Sequence, residues 1–143
     1  MNNQRVTLIT LGVSDLDRSK DFYGALGWTI AEEQPSVIFY QLNGLALGLF
    51  PFDALAEDQG RAGEKLGVGG STLAINFPTE AEVDEAFASA LAAGATLLKS
   101  PEKVFWGGYS GYYADPDGHV WELAMNPFWP LKEDGSLTLP TTE

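Results

Sequence analysis

Few side chains in this 143-residue chain are equipped for chemistry, and the shortage narrows what it can do. There is a single histidine, His119, and no cysteine. Sites that need two imidazoles from one chain are excluded, as are thiolate zinc sites, iron–sulfur clusters, disulfides and a cysteine nucleophile. The carboxylate best placed to act is Glu122, three residues beyond His119. Strand neighbours alternate faces, so this odd separation sends imidazole and carboxylate to opposite faces of a regular strand. Pairing the strand back across Asp115-Pro116-Asp117-Gly118 sets Ala114 opposite Val120 and Tyr112 opposite Glu122. Tyr112 then shares a face with Glu122, and Ser110, Gly108 and Trp106 follow it in parity.

Glu122 admits two readings. It is a partly wet carboxylate held by Thr72 or a neighbouring hydroxyl, or it works in an apolar cleft. In the second case desolvation raises its pKa and it serves as a general base or grips a ligand donor. The stretch Phe105-Trp106-Gly107-Gly108-Tyr109-Ser110-Gly111-Tyr112-Tyr113 alternates small residues with aromatics. Glycine inside a strand marks a bend, or the close approach of a ligand or another backbone. Aromatic walls with few polar anchors suit an organic ligand. The candidate ligand-binding residues are therefore Thr72, Trp106, Tyr112 and Glu122, with Glu122 the candidate catalytic group. His119 flanks a turn and is expected to face solvent.

The elements that must hold these residues fall into two similar halves. Val6–Val13 reads as a strand, followed by a helix capped at Ser14-Asp15, with Leu16, Ser19, Phe22, Tyr23 and Leu26 at helical spacing and Gly27 as its stop. Trp28–Ala31, Val37–Leu42 and Leu45–Phe50 read as strands, the last two joined by a two-residue Asn43-Gly44 turn, both of whose residues tolerate positive φ. In the second half, Ser71–Phe77 is a strand and Thr79-Glu80-Ala81-Glu82 a capping box. Val83, Phe87, Ala90 and Leu91 form an apolar helix stripe stopped by Gly94. Thr96–Lys99, Phe105–Ala114 and His119–Met125 complete a second β-α-β-β-β unit. By parity, Ile9, Leu11 and Val13, Leu73, Ile75 and Phe77, and Trp121, Leu123 and Met125 pack under the helices; the smaller alternate residues line a concave face. The boundaries expected are 5–50 for the first module, 51–70 for a linker with one helical turn near Asp53–Ala56, 71–127 for the second module and 128–143 for a tail. Together they make one domain spanning 1–143. The tail's Phe128-Trp129-Pro130 knot is a clasp over a sheet edge or a dimer contact.

Composition agrees with a folded α+β domain: 45% hydrophobic and 20% charged residues exclude wholesale disorder. A net charge of −12 repels phosphate backbones and anionic membranes, so no nucleic-acid or membrane partner is expected. No apolar run reaches spanning length, and the N-terminus is too polar for an export signal, so a cytoplasmic protein is expected.

Val13-Ser14-Asp15-Leu16-Asp17-Arg18-Ser19 running to Phe22-Tyr23, and Asp115-Pro116-Asp117-Gly118-His119-Val120-Trp121-Glu122-Leu123, resemble the opening and closing motifs of the vicinal oxygen chelate superfamily. This superfamily holds glyoxalase I, extradiol dioxygenases, methylmalonyl-CoA epimerase and bleomycin- and fosfomycin-resistance proteins. The resemblance covers residues 5 to about 127 and implies paired β-α-β-β-β modules whose mixed sheets curl round a cleft. It also implies a homodimer. The metal-ligand positions of the superfamily fall on Leu8, Gly48, Thr72 and Glu122, of which Glu122 alone ligates well. A catalytic metal needs about three protein ligands, so no metal and no other cofactor is expected. Two functions remain open. One is a metal-free protein that binds a small apolar or aromatic molecule, as the drug-sequestering members do. The other is a lyase, isomerase or dioxygenase-type enzyme, using Glu122 and Tyr112 without metal or holding a metal through ligands placed elsewhere. A cleft serving only assembly is the blander alternative.

Overall fold

The computed structural model describes residues 3–141, and its contacts divide between Gly67 and Val68 into two compact units. The first unit runs β1 (Leu8–Val13), α1 (Leu16–Ala25), β2 (Ile30–Gln34), β3 (Val37–Gln41), β4 (Ala46–Pro51) and α2 (Phe52–Asp58). The second runs β5 (Thr72–Asn76), α3 (Glu80–Ala92), β6 (Thr96–Lys103), β7 (Tyr109–Ala114) and β8 (Val120–Met125). Each holds one four-stranded mixed sheet, in the orders β1-β4-β3-β2 and β5-β8-β7-β6. First and last strands pair in parallel, Leu8 with Ala46 and Thr72 with Val120, and the remaining pairs are antiparallel. The α+β class and the repeated β-α-β-β-β order are those read from the sequence. Among the described residues no helix is long and apolar enough to cross a membrane.

Helix α1 starts where Asp15, in extended conformation, accepts a hydrogen bond from the Arg18 amide at 3.1 Å. It buries Ser19, Phe22 and Tyr23. Gly27 ends it at φ 94°, a conformation that costs glycine little. Tyr23, Trp28 and Tyr40 form an aromatic cluster, with ring centroids 5.2 to 5.9 Å apart, above the buried Ile38, Leu47 and Leu49. In the second unit α3 starts at Thr79, whose hydroxyl oxygen accepts from the Glu82 amide at 3.2 Å. The Glu82 carboxylate accepts in return from the Thr79 hydroxyl at 3.1 Å, in place of the backbone amide that a full capping box would use. Val83, Phe87 and Ala90 are buried, and Phe87 meets Tyr113 edge-on at 5.9 Å above Trp121 and Leu123. Leu91, expected in this stripe, is exposed.

Several boundaries differ from the sequence reading. The Asn43-Gly44 loop keeps the expected register, Gln41 facing Ala46, but only Gly44 takes positive φ, at 78°. The segment after β4 is less a linker than expected: α2 spans seven residues, buries Ala56 and lays the Phe52 ring against Gly12. β6 extends to Lys103 through two irregularities, after Leu97 and after Lys99. Phe105–Gly108, expected as strand, is the turn of the β6–β7 hairpin: Val104 N–H donates to Gly108 O and Gly107 N–H to Val104 O. In the tail, Leu131 and Leu137 form a small antiparallel bridge around an Asp134–Ser136 turn. Met1, Asn2, Thr142 and Glu143 lie outside the described residues.

The Asp115–Gly118 turn is built as its composition predicts. The buried Asp115 carboxylate accepts from the amides of Asp117 and His119, each at 2.9 Å, and Gly118 takes φ 97°. At the far end of β7, the Tyr109 hydroxyl donates to Asp84 on α3 at 2.6 Å. That hydrogen bond, with burial and the carboxylate charge behind it, pushes the phenol up to about 12.

Three outcomes follow in denaturant or thermal melts. Thr79→Ala lowers stability by about 1 kcal/mol, the value of one N-cap. Asp115→Ala removes two charge-assisted hydrogen bonds and costs about 3 kcal/mol, with Asp115→Asn recovering part of the loss. The raised Tyr109 means that its stabilising contribution is complete below pH 10 and fades as pH climbs from 10 to about 12. Tyr109→Phe flattens that stretch of the stability–pH curve, and an unchanged curve contradicts the assignment.

Candidate functional site

Register decides which side chains can meet. In the second unit three rungs run across the sheet: Thr72, Val120, Ala114 and Thr96; Ala74, Glu122, Tyr112 and Lys99; Asn76, Ala124, Ser110 and Glu102. Tyr113 and Trp121 are buried on the α3 side, so Tyr112 and Glu122 stand on the opposite face. They are directly opposite each other there, as cross-strand neighbours. The Tyr112 hydroxyl is held above the ordinary phenol range, first by burial, then by the Glu122 charge and the hydrogen bond it makes to that carboxylate. The pairing drawn from the hairpin sequence therefore holds in three dimensions, and the hydroxyl that Glu122 meets is that of Tyr112. Thr72 is exposed and lies one rung away, beside Val120. Lys99, at the end of the Glu122 rung, is ion-paired with Glu102 at 3.2 Å.

Trp106 is placed differently from its expected parity. It sits in the β6–β7 turn, where its indole folds over Gly108; a Cβ at Gly108 would collide with the ring. Gly111 is equally constrained, since a Cβ there would lie 2.7 Å from Pro101 N and 2.9 Å from Lys99 O. Gly108 and Gly111, two of the three glycines of this aromatic stretch, thus make room for the protein itself. Phe105 at the turn is fully exposed. His119 closes the Asp115 turn through its backbone and is half-buried rather than solvent-facing.

The first unit carries the matching face. Thr10, Gly48 and Phe39 share one rung, and Leu8, Ala46 and Gln41 another. A Cβ at Gly48 would come within 3.0 Å of the Phe39 ring and 3.6 Å of Thr10 Oγ1, so glycine gives the phenyl ring its place. The Asn43-Gly44 turn decides which side of β3 faces this way: its register pairs Phe39 with Gly48 and leaves Ile38 and Tyr40 to the core. Beside this rung a hollow of about 280 Å³ is lined by Ala31, Glu32, Phe39, Tyr40, Gln41 and Ala46.

The donor set does not fit the metal centre of the metal-using superfamily members. Leu8 and Gly48 have no donor atom, Thr72 offers a neutral hydroxyl, and Glu122 alone carries a carboxylate. Among the described residues no three His, Asp or Glu side chains gather as a metal-binding group.

Comparisons with known proteins agree with this architecture. A glyoxalase-related enzyme from Fulvimarina pelagi is 42% identical, with a TM-score of 0.90 over 96% of this chain and 99% of its own. A glyoxalase/bleomycin resistance protein/dioxygenase family enzyme from Burkholderia phytofirmans shares the fold at 23% identity, with a TM-score of 0.74 over 83% of this chain and 96% of its own. An uncharacterized protein of Mycobacterium bovis is 39% identical over 66 residues, which are 46% of this chain and only 40% of the relative. The family model for the Glyoxalase/Bleomycin resistance protein/Dioxygenase superfamily matches residues 5–123, and with both modules, their strand orders and their motifs in place, the chain belongs to that superfamily.

Proposed function

We propose that the protein binds a small, partly apolar or aromatic organic molecule without a metal, using the helix-free sheet face that carries Tyr112 and Glu122. The observation that supports this most is the cross-strand pairing of Tyr112 with Glu122 on that face. One carboxylate and one phenol form a compact polar anchor among Ala74, Val120 and Ala124, side chains too small to fill the face themselves. A ligand donor can replace the phenol on Glu122, while its apolar body lies over the small residues. The net charge of −12 favours cationic ligands of the bleomycin type and disfavours nucleic acid and anionic membranes. The same reading has the protein in the cytoplasm, paired as a homodimer.

A second reading is a lyase, isomerase or dioxygenase-type enzyme, favoured by the 42% identity to a protein described as a glyoxalase-related enzyme. Here Glu122 accepts a proton from the substrate, and Tyr112 orients the carboxylate.

A thermal-shift screen with bleomycin-type cations, aromatic metabolites and glutathione adducts tests the proposal. At least one class raises the melting temperature, and Glu122→Gln weakens that compound about tenfold, the value of one charge-assisted hydrogen bond. Compounds that move nothing, or bind Glu122→Gln unchanged, overturn it. Turnover of a hit by the wild type, lost in Glu122→Gln, selects the enzyme reading.

A further inference from the structure

On the helix-covered side of the first unit, away from the Thr10–Gly48–Phe39 rung, an open hollow of about 630 Å³ lies between α1, the start of β2, and β3. Lys20, Asp21 and Gly24 of α1 bound one side, and Trp28, Thr29 and Ile30 the other, with Tyr40 as the floor.

Two features of this hollow have no explanation within the protein. The first is Tyr40. It is 1% exposed, and its hydroxyl finds no hydrogen-bond partner among the described residues. A buried hydroxyl without a partner carries the full cost of its lost hydration. A phenylalanine would fill the same aromatic cluster with Tyr23 and Trp28 without that cost. The second is Gly24. It is helical, and no atom lies within 4 Å of where its Cβ would be. Alanine would serve the helix better, so packing does not call for glycine here. What glycine does is keep the wall of the hollow flat.

We propose that this hollow is a second small-molecule site, taking an uncharged planar aromatic compound that carries an oxygen acceptor for the Tyr40 hydroxyl. Trp28 and Ile30 provide the apolar wall for the ring. Charge on the ligand is not called for, because Lys20 is already paired with Glu33 at 2.8 Å and Asp21, the other charged residue of the lining, is exposed to solvent. Glu33 also faces the phenol electrostatically and, after burial, helps keep it protonated, so Tyr40 is a hydrogen-bond donor throughout the neutral range. The hydroxyl is shielded from solvent, so an occupant meets it by displacing part of the rim. That rim is lightly held: Trp28 is half-buried against Tyr40, with ring centroids 5.4 Å apart, and the Lys20–Glu33 pair is exposed and weak.

The test is an NMR titration of the full-length ¹⁵N-labelled protein with acetophenone, with toluene as the same ring lacking the acceptor. Acetophenone gives saturable shifts at the Gly24 and Thr29 amides and the Trp28 indole N–H, and binds about tenfold more tightly than toluene. Tyr40→Phe melts no lower than wild type, and it brings acetophenone down to the affinity of toluene. Gly24→Phe folds, because its side chain enters open space, and it abolishes the shifts; Gly24→Leu does the same if the larger ring disturbs the helix. The proposal is overturned by shifts that fail to saturate or that map to the Tyr112–Glu122 face. Tyr40→Phe overturns it by melting well below wild type, which would mean that the hydroxyl is already satisfied, or by keeping the preference for acetophenone.

Discussion

Everything in each unit depends on a parallel pairing between its first strand and its last. Parallel neighbours cannot be joined by a tight turn, so a helix must cross over between β1 and the rest of its sheet, and between β5 and the rest of its own. That helix covers one face. The closing hairpins then fix, by strict alternation, which side chains lie beneath it and which do not. The face carrying Tyr112 and Glu122 follows from this: once Tyr113, Trp121 and Leu123 are committed to the core under α3, their neighbours have only one direction to go.

This alternation also separates the residues that carry the superfamily fold from those on the helix-free face. The motifs that carry the fold are caps, turns and core positions: Asp15 at the start of α1, Asp115 and Gly118 in the last turn, Phe22 and Tyr23 under the first helix. Leu8, Gly48, Thr72 and Glu122 lie on the other face, away from the helix-covered core. Gly48 there seats the Phe39 ring.

Much of this was readable in the residues. Asp115-Pro116-Asp117-Gly118 announced a turn because each residue has its own reason to be there, and the pairing of Tyr112 with Glu122 followed by counting. The helix starts at Asp15 and Thr79 were legible for the same cause, since a cap is a local hydrogen bond. The failures were non-local. Phe105–Gly108 looked like strand because aromatics favour strands, yet its two adjacent glycines let the chain reverse and Trp106 fold back. The missing partner of Tyr40 and the empty space beside Gly24 had no sequence signal at all, because both are statements about what surrounds a residue in space.

The irregular course of β6 has a consequence for how this protein can associate. A regular outer strand is a template on which a neighbouring chain can dock its own backbone, copy after copy. β6 is an outer strand, but it slips register twice and places Pro101, which has no amide hydrogen, near its middle. The ladder on that flank is therefore broken into lengths too short to recruit a partner strand, and unlimited sheet growth from it is blocked at the level of the main chain, whatever the exposed Leu97 and Leu98 side chains would otherwise invite.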